Sequence, residues 1–178
     1  MYKPPMVVKN LSKEKRSSLQ IAYDLVAVSG FLFQILLIAR AWAGLPSSIP
    51  VHYGFSGQPD AWGGKAELLA LPAVSFLLYA GLTWLARYPH KLNPWPIKTE
   101  RNAERLYRLA KSSVGAVQCL LVWLFTAISW QIIRVAMGQT SGLGRALIVV
   151  ILGITGTTIV VYVLLAQRAG QGVVATQV

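Results

Sequence analysis

Acidic residues are scarce in this chain. Of 178 residues only six are Asp or Glu, against seventeen Lys or Arg, and charged residues total 13%. A soluble domain carries about 25% charged residues, because its surface must face water. This chain lacks the charge to coat a globule, while 54% of it is hydrophobic, so a lipid-facing surface is implied. Cysteine is scarcer still. Cys119 stands alone, which excludes an intrachain disulfide and any multi-cysteine metal site. It lies in an apolar run and is expected to act as a small buried hydrophobe. The sequence contains no internal repeat, low-complexity tract, phosphate loop or nucleophile elbow. The net charge of +11 raises nucleic acid as a partner. The basic residues sit between apolar runs, however, and no recognition fold is visible. Anionic lipid headgroups are the expected counter-charge.

Four apolar runs dominate the sequence, at about residues 19–44, 66–86, 112–137 and 143–167. As a helix the first would extend roughly 39 Å at ~1.5 Å per residue, and the hydrocarbon core needs about 30 Å. None alternates apolar and polar residues with a period of two, so barrel strands are excluded. "AWA" at Ala41–Ala43 mimics a signal-peptide cleavage site, but the apolar stretch before it is too long and Arg40 precedes it. The expectation is one membrane domain over 1–178, an all-α integral membrane protein with four transmembrane helices.

Basic residues set its orientation. The segment before the first run, the connector 87–111 and the C-terminal tail hold thirteen of the seventeen. Positive residues stay cytoplasmic, so both termini are expected inside, in the cytoplasmic (inner) membrane of a bacterium. Loop 45–65 then faces outward. Trp42 and Trp130 suit the outer interface and Trp84 the inner one.

The outer loop, "LPSSIPVHYGFSGQPDAWGGK", holds three of the nine prolines and four of the fifteen glycines. Pro46 and Pro50 fix φ and bias the preceding residues toward extended geometry. Pro59–Asp60 is a turn signal. The segment is too rich in special residues for a slack linker and too short for a domain, so an ordered cap over the helix ends is expected. His52, Asp60 and Lys65 are its chemically capable members. A His–Asp pair can orient an imidazole for base work, and Lys65 can grip an anion. The plainer alternative has Asp60 capping a turn, His52 in a polar niche and Lys65 snorkelling to the headgroups. A metal would need three or four ligands. His90 falls on the opposite side of the membrane, so no metal site and no cofactor are expected.

In the connector, Pro94 and Pro96 keep the chain extended, Thr99 can cap a helix and Glu100 suits its first turn. From Glu100 to Lys111 the pattern is amphipathic, and the helix is expected to lie near the inner surface before entering the third run. Its basic residues either fix topology or dock a cytoplasmic regulator.

The outer segment resembles the signature of the family called domain of unknown function 1648. The matching residues are Leu45, Pro46, Ile49, Pro50, His52, Tyr53, Gly57, Pro59, Asp60 and Lys65, and in that family too the segment follows the first membrane helix. "NPWPIKTERNAERLYRLAKSS" is similar to the family's second common stretch through Asn93, Trp95, Pro96, Thr99, Asn102, Ala103, Glu104 and Tyr107. The resemblance covers about residues 20–135. The same domain opens the larger immunity and signalling proteins of the sporulation-delay toxin system, whose extra membrane helices this chain stops short of. The resemblance implies a non-catalytic role in sensing, immunity or signalling. His52, Tyr53, Gly57, Pro59, Asp60, Trp62 and Lys65 would then meet a peptide or lipid-like ligand.

Polar residues inside the runs complete the inventory. Asp24 lies near the inner end of the first run and is expected to pair with a basic residue such as Arg105 or Arg108, or else to relay protons or substrate. Gln34, Gln118 and Gln131 can hydrogen-bond between helices. Pro72 is expected to loosen the second helix near its outer end. Two further functions stay open. One is a small membrane enzyme using His52, Asp60 and Lys65 on an outer-leaflet substrate. The other is a transporter lined by Asp24 and the glutamines, which four spans could form only as a homo-oligomer.

Overall fold

The computed structural model describes residues 17–86 and 100–142, together with Gly144 and seven helical positions scattered between 149 and 164. Helix α1 runs Ser18–Ala41. Strands β1, Ser48–Tyr53, and β2, Pro59–Gly64, pair antiparallel. A 3-10 turn, Lys65–Leu69, leads into α2, Ala70–Leu85. Helix α3 spans Glu100–Ala136.

Three segments, Ser18–Ala41, Lys65–Leu85 and Lys111–Ala136, are helices long and apolar enough to cross a membrane, as a membrane protein requires. Leu25, Leu32, Ile35 and Leu36 on α1 are exposed, as are Phe76 and Leu77 on α2. Contiguous apolar surface of that extent is not left facing water. The expected fourth span, 143–167, lies mostly outside the described residues.

The helices start and stop for local reasons. Ser17 caps α1: its hydroxyl accepts from the Gln20 amide at 3.3 Å, and the Gln20 side chain accepts from the Ser17 amide at 3.1 Å. That reciprocal box satisfies two otherwise orphaned donors. Pro72 was expected to loosen the second helix. Instead it sits in the first turn of α2, two residues after the change from 3-10 to α geometry, where its missing N–H costs little. The amphipathic stretch from Glu100 was expected to lie near the inner surface and run into the third span, and it is the uninterrupted beginning of α3.

Helix α3 packs against α1 and α2, while α1 and α2 touch each other less. On the α1–α3 seam a Cβ at Gly30 would stand 2.8 Å from Val122 Cγ1, and one at Gly115 would stand 2.6 Å from Tyr23 Cδ2. Two glycines therefore let the backbones approach. Gln34 Nε2 donates to Ser129 Oγ at 2.9 Å across the same seam, both side chains being fully buried. Gln118 Nε2 reaches from α3 to Thr83 Oγ1 at 2.7 Å and to the Tyr79 carbonyl at 3.0 Å on α2.

The hairpin corrects the all-α expectation. Its signal is "GFSGQ". The Gly57 amide donates to the Gly54 carbonyl at 2.9 Å, Gly54 N donates to Gln58 O at 3.0 Å, and Gly57 has φ +77°. This is a three-residue loop closed by a left-handed glycine. Pro50 and Pro59 argue against strands, but a two-stranded ribbon consists of edges, where proline is tolerated. The ribbon is anchored rather than free: Leu45, Ile49 and Leu68 are buried in one cluster with Ile38 of α1 and Ile132 and Ile133 of α3.

Candidate ligand-binding site

The hairpin packs on the C-terminal ends of α1 and α3, runs into α2 through the 3-10 turn, and presents His52 and Asp60 on its exposed face. His52 on β1 and Asp60 on β2 face one another, with Nδ1 and Oδ1 2.5 Å apart. Register brings them together, since His52 sits opposite Ala61 and Tyr53 opposite Pro59, with irregular pairing around His52. Both side chains remain open, at 70% and 50% exposure. They form a solvent-facing dyad with no walls around it, and Phe55, Val51 and Trp62 are exposed on the same ribbon.

Lys65 does not join them. It sits at the base of the hairpin, where its backbone amide extends the ladder to the Ser47 carbonyl at 3.1 Å. Its ammonium lies 5.1 Å from the centroid of the Trp42 ring and donates to the Trp42 carbonyl at 3.5 Å. His52 is four residues up the ribbon from Ser48, about 13 Å at ~3.3 Å per residue. The three residues therefore occupy two places: an exposed pair near the turn, and a cation at the level of the helix ends.

Tyr53 turns inward against the anchoring cluster. Its hydroxyl is buried with no hydrogen-bond partner among the described residues, and burial pushes its phenol up to about 12. Gly57 is buried, and Gly142 packs directly on the Gly57 carbonyl with no room for a Cβ. Gln131 Nε2 holds Gly142 by its carbonyl at 2.9 Å. The turn of the hairpin is thus clamped by the segment that follows α3.

Asp24, Gln34, Gln118 and Gln131 each make a side-chain hydrogen bond. Asp24 accepts from the Tyr79 hydroxyl of α2 at 2.8 Å. Gln34 and Gln118 bond between helices, and Gln131 bonds to the loop after α3. In the connector, Asn102, Glu104 and Tyr107 fall in the first turns of α3, whereas Asn93, Pro96 and Thr99 lie outside the described residues. No group of three or more potential metal ligands occurs among the described residues.

Two features escaped the sequence reading. The exposed Phe55 at the turn is one; its position inside a Gly-bounded loop is the signal that would have found it. The other is an apolar groove of about 230 Å³ between α1 and α2, lined by Ile35, Ile38, Ala39, Trp42, Leu69 and Pro72. It depends on how the helices splay and has no sequence signal.

Residues 30–76 match the model of a domain of unknown function, DUF1648. The match takes in the second half of α1, the whole hairpin and the start of α2. A protein of Archaeoglobus fulgidus, described as an uncharacterized protein, is 37% identical over 74 residues, covering 33% of this chain and 40% of that one. The chain thus spans less than half the length of this relative. No solved structure matches.

Proposed function

Taking as premise that residues 30–76 carry DUF1648, we propose that this chain is a non-catalytic multi-pass protein of the bacterial cytoplasmic membrane. It senses a ligand at its hairpin and passes the event to its basic end, as an immunity or signalling protein would. The observation that carries this reading is the length of α3. At its C-terminal end Ile132 and Ile133 are buried against the hairpin. From there it runs unbroken to Glu100, a helix of 37 residues, or about 55 Å against a hydrocarbon core of about 30 Å. A single rod touches the hairpin at one end and bears Arg101, Arg105 and Arg108 at the other. The distribution of basic residues favours four spans with both termini inside.

An amphipathic peptide suits the exposed surface of the hairpin. Phe55, Val51 and Trp62 supply apolar contact, and the His52–Asp60 pair supplies polar contact. A strain lacking the protein should become more sensitive to at least one envelope-active peptide. Re-expression should restore protection, and a Phe55→Ser, Trp62→Ser variant should not. Equal sensitivity of both strains across a broad panel removes the reading. A reporter placed near Gly57 tests the outward orientation separately.

The His52–Asp60 contact favours a second reading, in which the imidazole acts as a base on an outer-leaflet substrate. In that case His52→Ala abolishes turnover of lipid substrates by the purified protein and leaves the fold intact. Wild-type protein without turnover excludes it.

A further inference from the structure

We propose that the groove between α1 and α2 is the seat of one anionic phospholipid, with an acyl chain against Ile35, Ala39, Leu69 and Pro72 and the phosphate on Lys65. The inference rests on the membrane reading alone and goes beyond the sensing role.

The wall of the groove and its mouth differ in chemistry. Its wall is carbon almost throughout. It runs along two helices that are apolar enough to lie in lipid, where the surrounding medium is itself acyl chain. One turn deeper, Phe31 of α1 meets Phe76 and Tyr79 of α2 edge to face, with centroids 6.1 and 5.7 Å apart. At the mouth, Trp42 lines the groove and Lys65 lies over its ring. An aromatic belt residue beside a snorkelled lysine marks the headgroup level.

The charge at the mouth is unbalanced. Lys65 has no carboxylate within ion-pair distance among the described residues. Glu67, the nearest acid in sequence, uses Oε1 to accept from the Gly64 amide at 3.0 Å. The single bond from Lys65 to the Trp42 carbonyl is long, so two ammonium protons remain for an anion. An apolar slot whose rim residue Trp42 carries a cation with no carboxylate partner among the described residues complements a chain that ends in a phosphate.

The test uses the whole protein in nanodiscs of equimolar phosphatidylglycerol and phosphatidylcholine, followed by gentle detergent extraction and native mass spectrometry. Wild-type protein should retain one lipid, with phosphatidylglycerol enriched about fivefold, the ratio expected from one lysine beside an anionic headgroup. Lys65→Gln should bring the two lipids to parity, and Ala39→Trp, which fills the slot, should remove the retained lipid of either kind. Wild-type protein that retains no lipid, or retains both equally, overturns the proposal, as does enrichment that survives Lys65→Gln. Loss of the enrichment on washing with excess inorganic phosphate also overturns it, because the site would then be a free-anion site. No peptide enters this experiment, so its failure leaves the sensing reading untouched.

Discussion

The seam between α1 and α3 and the seam between α1 and α2 are built from similarly apolar helices, yet one is closed and the other gapes. On the α1–α3 side two glycines remove side chains at the contact, and Gln34 bonds to Ser129 across it. Cys119 Sγ and Trp123 Nε1 donate to carbonyls of Tyr23 and Val26 at 3.1 and 3.2 Å. On the α1–α2 side aromatic rings hold the helices apart and a groove opens toward the hairpin. Lipid offers no hydrophobic drive between helices, so close approach and hydrogen bonds decide which contacts are tight. Close packing thus coincides with small residues and several polar donors on the α1–α3 seam, whereas on the α1–α2 seam a single Tyr79–Asp24 hydrogen bond stands beside bulky rings and a groove.

The largest effect should come from where both seams meet the ribbon. Ile49 is 1% exposed, and Ile49→Ala should cost about 3 kcal/mol by opening a cavity under the hairpin. Reversible unfolding in mild detergent measures it, and Trp62 should become more susceptible to quenching. Gly30→Val should cost about 2 kcal/mol through overpacking against Val122. Ala39→Val, on the open seam of the same helix, should change stability by less than about 0.5 kcal/mol. Equal costs at the two positions would erase the distinction between the seams.

Smaller effects sharpen the picture. Tyr53→Phe should stabilise by about 1 kcal/mol, because it deletes a buried hydroxyl that lacks a partner. Tyr53 also carries a pH signature. Its folded phenol lies at about 12 against an ordinary value of 10.0, so the unfolded chain releases this proton first. Stability linked to it is complete below pH 10 and is lost as pH rises toward 12. Ultraviolet titration should show a late phenolate that Tyr53→Phe removes. Gln34→Met should cost about 0.6 kcal/mol, typical of one intramembrane hydrogen bond. His52→Ala should shift stability by less than about 0.5 kcal/mol, because the His52–Asp60 pair is solvent-exposed.

The apolar runs located α1, α2 and the spanning part of α3 to within a few residues, because transfer of a helix into lipid depends on composition summed over its length. The hairpin was harder to read. Its prolines speak against strands, and the loop glycine that favours a ribbon is a single residue. His52 and Asp60 were singled out from their chemistry, but only cross-strand register brings them into contact. Lys65 belongs with them in sequence, yet the base of the hairpin carries it to Trp42. Asp24 was expected near a basic residue, and what the sequence left unseen is the Tyr79 hydroxyl of α2 that reaches it, a contact between residues 55 positions apart.

By itself the sequence determined that this chain has helices suited to lipid, a stiff polar segment between the first two of them, and a heavy excess of positive charge. Those properties are sums over neighbouring residues, so no tertiary information is needed to read them. Only the tertiary structure decided which helices close on each other, that the stiff segment is a ribbon, and that Lys65 stands at the mouth of an apolar slot rather than beside His52. Such outcomes depend on ångström-scale fit between distant residues, where a missing Cβ at Gly30 or a one-residue irregularity beside His52 sets which groups can meet.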